Sequence, residues 1–162
     1  MSLIHLYRTP ALSEAKKNEL LLKLRQTVSA DITDIRTEFC FNIAAEGPLT
    51  PEEIKVLSWL LTETFEPDNF SNKSFLSRHS SPVTHHSLLE VGPRMNFTTA
   101  WSTNAVSVCH ACGLRKIKRI ERSRRYEFIF NEISSEQVTA FYSSLTSQHA
   151  SLFYDKMTEC PY

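Results

Sequence analysis

The run TPEEIKVLSWLL, from Thr50 to Leu61, decides the fold once it is set beside SSEQVTAFYSSL, from Ser134 to Leu145. Each is a helix start followed by an apolar stripe. Thr50 caps, Pro51 fits a first turn where its missing N–H costs nothing, and Glu53 closes a capping box. Ser134 and Gln137 write the same box in the second run. Behind the boxes Ile54, Leu57 and Leu61, then Val138, Phe141, Tyr142 and Leu145, recur at helical spacing and are expected to face inward.

Working outward, each helix start is preceded by the same series of elements. Leu3 to Tyr7 read as a strand, and Ser13 to Val28 as a helix with Leu20, Leu21, Leu24 and Val28 on one stripe. Ile35 to Ile43 alternate through Phe39 and Phe41, the pattern of a strand with one buried face. A stretch rich in Ser, Asn, Asp and His, from Glu66 to about Thr84, reads as a surface loop. The series then restarts: Leu88 to Val91 as a strand, Thr103 to Cys112 as a helix ending at Gly113, and Ile117 to Phe130 as a long strand. The halves align at an offset of roughly 85 residues, with Leu3 on Leu88, Ile35 on Ile120 and one capping box on the other.

A two-stranded unit with two helices cannot cover its own apolar sheet face. The expectation is therefore an α+β fold built by tandem duplication of a β-α-β-α unit. The long strands should pair antiparallel, with the helices packed over the sheet. One domain spans 1–162, as pseudo-repeats 1–65 and 86–159 joined by a polar linker at 66–85.

Composition narrows the function classes. The 162 residues are 41% hydrophobic and 10% aromatic, enough for a core without staples. With three glycines no phosphate-cradling glycine loop can be written, so nucleotide binding by that route is excluded. Eighteen basic residues cancel eighteen acidic ones, so the chain is not an obvious polyanion binder. The four cysteines, Cys40, Cys109, Cys112 and Cys160, come without a secretory signal or a bilayer-length apolar run, and a reducing, cytoplasmic setting is expected.

Three segments carry a family resemblance: LLEVGPRMNFTTAWSTNAVSVC from Leu88 to Cys109, CGLRKIKRIERSRRY from Cys112 to Tyr126, and LFYDKMTE from Leu152 to Glu159. They resemble the first domain of the large phosphoribosylformylglycinamidine synthases, and the NFTT wording at Asn96 to Thr99 looks like the animal version rather than the bacterial one. The resemblance implies part of an enzyme of purine biosynthesis that uses ATP and glutamine to convert formylglycinamide ribonucleotide into its amidine. It implies a domain similar to a dimer of the small PurS subunit, which agrees with the duplication read from capping and periodicity. ATP and Mg would bind in the synthase part and the glutaminase cysteine would lie further on, so this chain reads as a fragment with no catalytic, cofactor or metal residues of its own. Its partners would be the synthase and glutaminase domains, with no membrane and with self-association open to the isolated fragment.

The candidate sites follow. Cys109 and Cys112 form a C-x-x-C inside a predicted helix, where Val108 and Cys112 mark the inward face; core packing is the expected role, ahead of redox chemistry and of a zinc site, which would need two more paired ligands. His79, His85 and His86 lie in the polar stretch without acidic or cysteine partners, and are expected to be solvated. Arg115, Lys116, Lys118, Arg119, Arg122, Arg124 and Arg125 crowd one strand, and alternation sends them to both faces. Three readings stay open for them: a solvated edge deterring aggregation, an interface with acidic surface elsewhere, or a free-standing RNA- or anion-binding module through 115–125 with Tyr126, Phe128 and Phe130 as stacking rings. In the loop from Gly92 to Asn104, a hydroxyl near Ser102 or Thr103 caps the next helix. Arg94, Trp101, Ser102, Thr103 and Asn104 are the candidate interdomain contacts, with Arg94 able to fork onto a carboxylate or phosphate.

Overall fold

The computed structural model describes residues 1–62, 64–76, 85–131 and 133–162, with the side chains of residues 85 and 86 outside the description. Six strands form one sheet: β1 Ser2–Arg8, β2 Ile32–Ala45, β3 Phe70–Ser71, β4 His85–Pro93, β5 Ile117–Phe130 and β6 Glu159–Pro161. Among the described residues four α-helices accompany it: α1 Glu14–Thr27, α2 Pro51–Leu61, α3 Ala100–Ala111 and α4 Ser135–Ser147. The strand order is β3-β1-β2-β5-β4-β6, and every pairing is antiparallel. This is the expected α+β class.

The long strands β2 and β5 pair at the centre. Phe39 stands opposite Arg124, Ile35 opposite Phe128 and Ile43 opposite Ile120. Alternation along this ladder puts Ile35, Phe41, Ile43, Ile120 and Phe128 on one face. That face carries all four helices. At one end α1 and α4 enclose Ile35, Leu89, Tyr126, Phe128 and Phe130; at the other, α2 and α3 enclose Leu6, Phe41, Ile43, Ile117 and Ile120. The two cores are separate clusters, with half-buried Phe39, Arg122 and Arg124 between them on the strands.

The helix starts are built as expected. Thr50 and Ser134 each accept from the residue three places on, and Glu53 and Gln137 accept in return from the cap N–H. Leu57, Leu61, Phe141 and Leu145 are buried behind them, whereas Ile54 is 41% exposed because it lies to the side of the stripe that meets the sheet. Helix α3 begins earlier than expected. Its cap is Thr99, whose hydroxyl accepts from the Ser102 N–H. The helix ends at a left-handed Gly113 with φ of 88°, where the Gly113 N–H donates to His110 and the Leu114 N–H to Cys109, the closure that a glycine makes cheap.

The polar stretch holds more structure than a loop. It contains a short 3-10 turn at Pro67–Asn69 and strand β3 at the sheet edge, and Leu76 is buried.

Candidate interdomain surface

The helix-free face of the sheet is polar and tightly paired. Glu38, fully buried, takes hydrogen bonds from the Ser74 hydroxyl and the Phe75 N–H, both at 2.7 Å, and from Arg125 at 2.5 Å. Arg125 also pairs with Glu90 at 3.2 Å and lies over the Tyr7 ring, 5.4 Å from its centroid. Ser123 donates to Glu90 at 2.5 Å, and Asn42 donates to Ser123 at 3.1 Å. Beside them burial, then the Glu90 charge, pushes the Cys40 thiol up to about 12. Such a thiol is inert at neutral pH. Gly92 serves a close approach here: a Cβ would come within 2.8 Å of the Tyr162 ring and 3.0 Å of the Ser123 Cβ.

The loop before α3 is pinned from β5. Glu121, almost fully buried, accepts from the Thr99 N–H and hydroxyl at 3.1 and 2.8 Å and pairs with Arg119 at 3.1 Å. Arg119 also donates to the carbonyls of Met95 and Phe97. A strand thus selects which hydroxyl of the loop becomes the cap.

Four of the five expected contact residues lie on the first turns of α3, and the fifth is tied elsewhere. Arg94 is exposed and donates twice to the Lys156 carbonyl, at 3.1 and 2.7 Å. Trp101 is 37% exposed, with its ring 6.1 Å from Phe41. Ser102 has no exposed surface; its hydroxyl accepts from the Ile120 N–H at 3.3 Å. Thr103 bonds back to Thr99, and Asn104 is exposed. Ser102 therefore ties the helix to the sheet, and the other three present side chains to solvent.

The basic run is resolved by its strand. β5 lies between β2 and β4, so it is not the solvated edge considered above. Its charges meet acids from distant segments: Lys116 with Glu53, Lys118 with Glu46, Arg124 with Glu159 and Arg125 with Glu38. Tyr126, Phe128 and Phe130 are buried to 3% exposure or less. With none of these three rings open to a base, the RNA-binding alternative is not favoured.

Arg122 is the basic residue that the sequence pattern did not distinguish. It lies on the helix-bearing face, 4.3 Å from the Phe39 ring and 5.3 Å from the Trp101 ring. Burial, then the neighbouring Arg8 and Arg124 charges, holds its guanidinium below the usual arginine range. Among the described residues no carboxylate pairs with it.

In the C-x-x-C, Cys109 is buried and Cys112 exposed, so the inward face runs through Ser102 and Cys109 rather than Val108 and Cys112. The side chains of His79, His85 and His86 lie outside the described residues. Among the described residues no three His, Cys, Asp or Glu side chains gather as a metal site, and no helix is long and apolar enough to cross a membrane.

Comparison with known proteins adds the family context. The family model described as formylglycinamide ribonucleotide amidotransferase N-terminal matches residues 38–162. The chain is 44% identical over 160 residues to the probable phosphoribosylformylglycinamidine synthase, chloroplastic/mitochondrial, of Arabidopsis thaliana, covering 98% of this chain and 11% of that protein. It is 43% identical over 166 residues to the phosphoribosylformylglycinamidine synthase of Dictyostelium discoideum, covering 100% and 12%, and 35% identical over 158 residues to that of Homo sapiens, covering 96% and 11%. The chain spans 11 to 12% of the length of these relatives.

Proposed function

Since the chain belongs to the formylglycinamide ribonucleotide amidotransferase N-terminal family, we propose that it is the docking and scaffolding domain of a phosphoribosylformylglycinamidine synthase. The whole enzyme would be the ATP- and glutamine-dependent ligase of purine biosynthesis that amidates formylglycinamide ribonucleotide. This domain would hold the synthase and glutaminase parts in register and have no turnover of its own. ATP and Mg would be held by the synthase part.

The observation that carries this reading is a match along almost the whole chain that occupies only 11% of the plant relative. Arg94, Trp101, Thr103 and Asn104, exposed on one loop and the helix it starts, supply the proposed contact surface. The cytoplasmic setting belongs to the proposal too, and the plant relative's name assigns that protein to organelles.

The halves would descend from one duplicated unit. Arg124 stands 85 residues beyond Phe39 and pairs with it. The pairs on either side exchange places at the same offset, Ile35 with Phe128 and Ile43 with Ile120, as a two-fold relation between repeats requires.

The test is calorimetric titration of this chain into the Arabidopsis relative lacking its matching segment. Saturable binding supports the proposal. Absence of binding between folded partners overturns it.

A further inference from the structure

On the helix-bearing face, the helices cover two separate cores and leave the midline of the sheet between them. Arg122 occupies that midline from β5, opposite Phe41 on β2. The Phe39 and Trp101 rings flank its guanidinium at 4.3 and 5.3 Å, and Arg8 lies 5.3 Å from the same Phe39 ring. Packing against rings fixes the plane of a guanidinium without using its five N–H donors.

Arg122 differs in one respect from the arginines on either side in the strand pattern. Arg124 is neutralised by Glu159 at 2.8 Å and Arg119 by Glu121 at 3.1 Å. Among the described residues, Arg122 has neither a hydrogen-bond acceptor nor an ion-pair partner; its recorded neighbours are aromatic rings and two more cations. A half-buried, oriented guanidinium with no carboxylate of its own among the described residues is a receptor for one planar anion.

Building on the docking reading, we infer that Arg122 receives a carboxylate side chain from the synthase–glutaminase remainder, seated between Phe39 and Trp101. An Asp or Glu side chain supplies the planar two-oxygen acceptor that the guanidinium fork matches. Trp101 then has two roles: it shapes the slot and forms the apolar rim around the ion pair. That rim excludes water, which strengthens a pair that would count for little on an open surface. Bidentate geometry is needed, so lysine at 122 would not substitute fully.

The experiment uses this chain and the Arabidopsis relative lacking its matching segment. Phenylglyoxal footprinting read by mass spectrometry should find Arg122 reactive in the free chain and protected in the complex. Calorimetry should show Arg122→Gln weakening association about tenfold or more and flattening its salt dependence, with Arg122→Lys in between. Equal reactivity of Arg122 in free chain and complex, or wild-type affinity for a folded Arg122→Gln variant, overturns the inference while leaving docking intact. Failure of the unmodified chain to bind at all overturns the docking reading and the inference together. The footprint does not depend on the folding of any variant.

Discussion

Glu38 lies directly across the β2–β5 ladder from Arg125, and the pair closes with Glu38 at 0% exposure. The remaining carboxylate oxygen is satisfied by the Phe75 N–H, and Ser74 bonds to both partners. This contact fastens the segment before residue 77 to the middle of the sheet. Removing Glu38 leaves Arg125 with Glu90 as its one acid and strips the Phe75 N–H and the Ser74 hydroxyl of their acceptor inside the sheet. Glu38→Ala should therefore lose about 3–5 kcal/mol in urea unfolding. A loss below about 1 kcal/mol, the range of exposed pairs, would show that the network is solvated.

Gly113 closes α3 with φ of 88°. No atom lies within 4 Å of where its Cβ would stand, so a substitution meets backbone strain without a clash. Gly113→Ala should cost about 1–2 kcal/mol. The thermal midpoint should fall by a few degrees, about 2–4 °C per kcal/mol at this size. An unchanged midpoint would contradict the left-handed closure.

The thiols should separate by reactivity. Burial raises Cys109, and burial with the Glu90 charge takes Cys40 up to about 12, while Cys112 is exposed. Iodoacetamide at pH 8, read by mass spectrometry, should modify Cys112 in the folded chain, with Cys40 and Cys109 reacting only after denaturation. Rapid labelling of Cys40 in the native state would contradict the polar packing around it.

Tyr162 gives a pH dependence of known sign. Its hydroxyl donates to the Pro93 carbonyl at 2.6 Å, and burial, then Cys160 and Glu121, pushes the phenol up to about 12. A phenol raised on folding contributes stability below its unfolded value near 10, lost as pH rises toward 12. Ultraviolet titration should find this tyrosine ionising late. Gly92→Ala, which displaces the ring, should return its titration toward 10, the ordinary tyrosine value. Ordinary titration in the unmodified chain would contradict the packing of Tyr162 on Gly92.

Much of the scaffold was legible because its signals are local. The capping boxes at Thr50 and Ser134 need only four residues each, and the alternation through Phe39, Phe41 and Ile43 marks a one-faced strand. The start of α3 was not legible in the same way. Thr98, Thr99, Ser102 and Thr103 all offer hydroxyls, and the choice of Thr99 is made by Glu121 from the next strand. The basic run misled for a similar reason. Its partners Glu38, Glu46, Glu53 and Glu159 are distant in sequence, so their pairing appears only with the fold. Arg122 was legible as a basic residue, but that no carboxylate among the described residues pairs with it is a property of the assembled face.

The central claim is that this domain acts by assembly, and turnover tests it most directly. The Arabidopsis relative lacking its matching segment would be assayed for glutamine-dependent ATP turnover with formylglycinamide ribonucleotide, with and without this chain. The account predicts low turnover from the truncated protein, none from this chain, and recovery on mixing that saturates with added chain. Equal turnover with and without the chain, from folded partners, would contradict it.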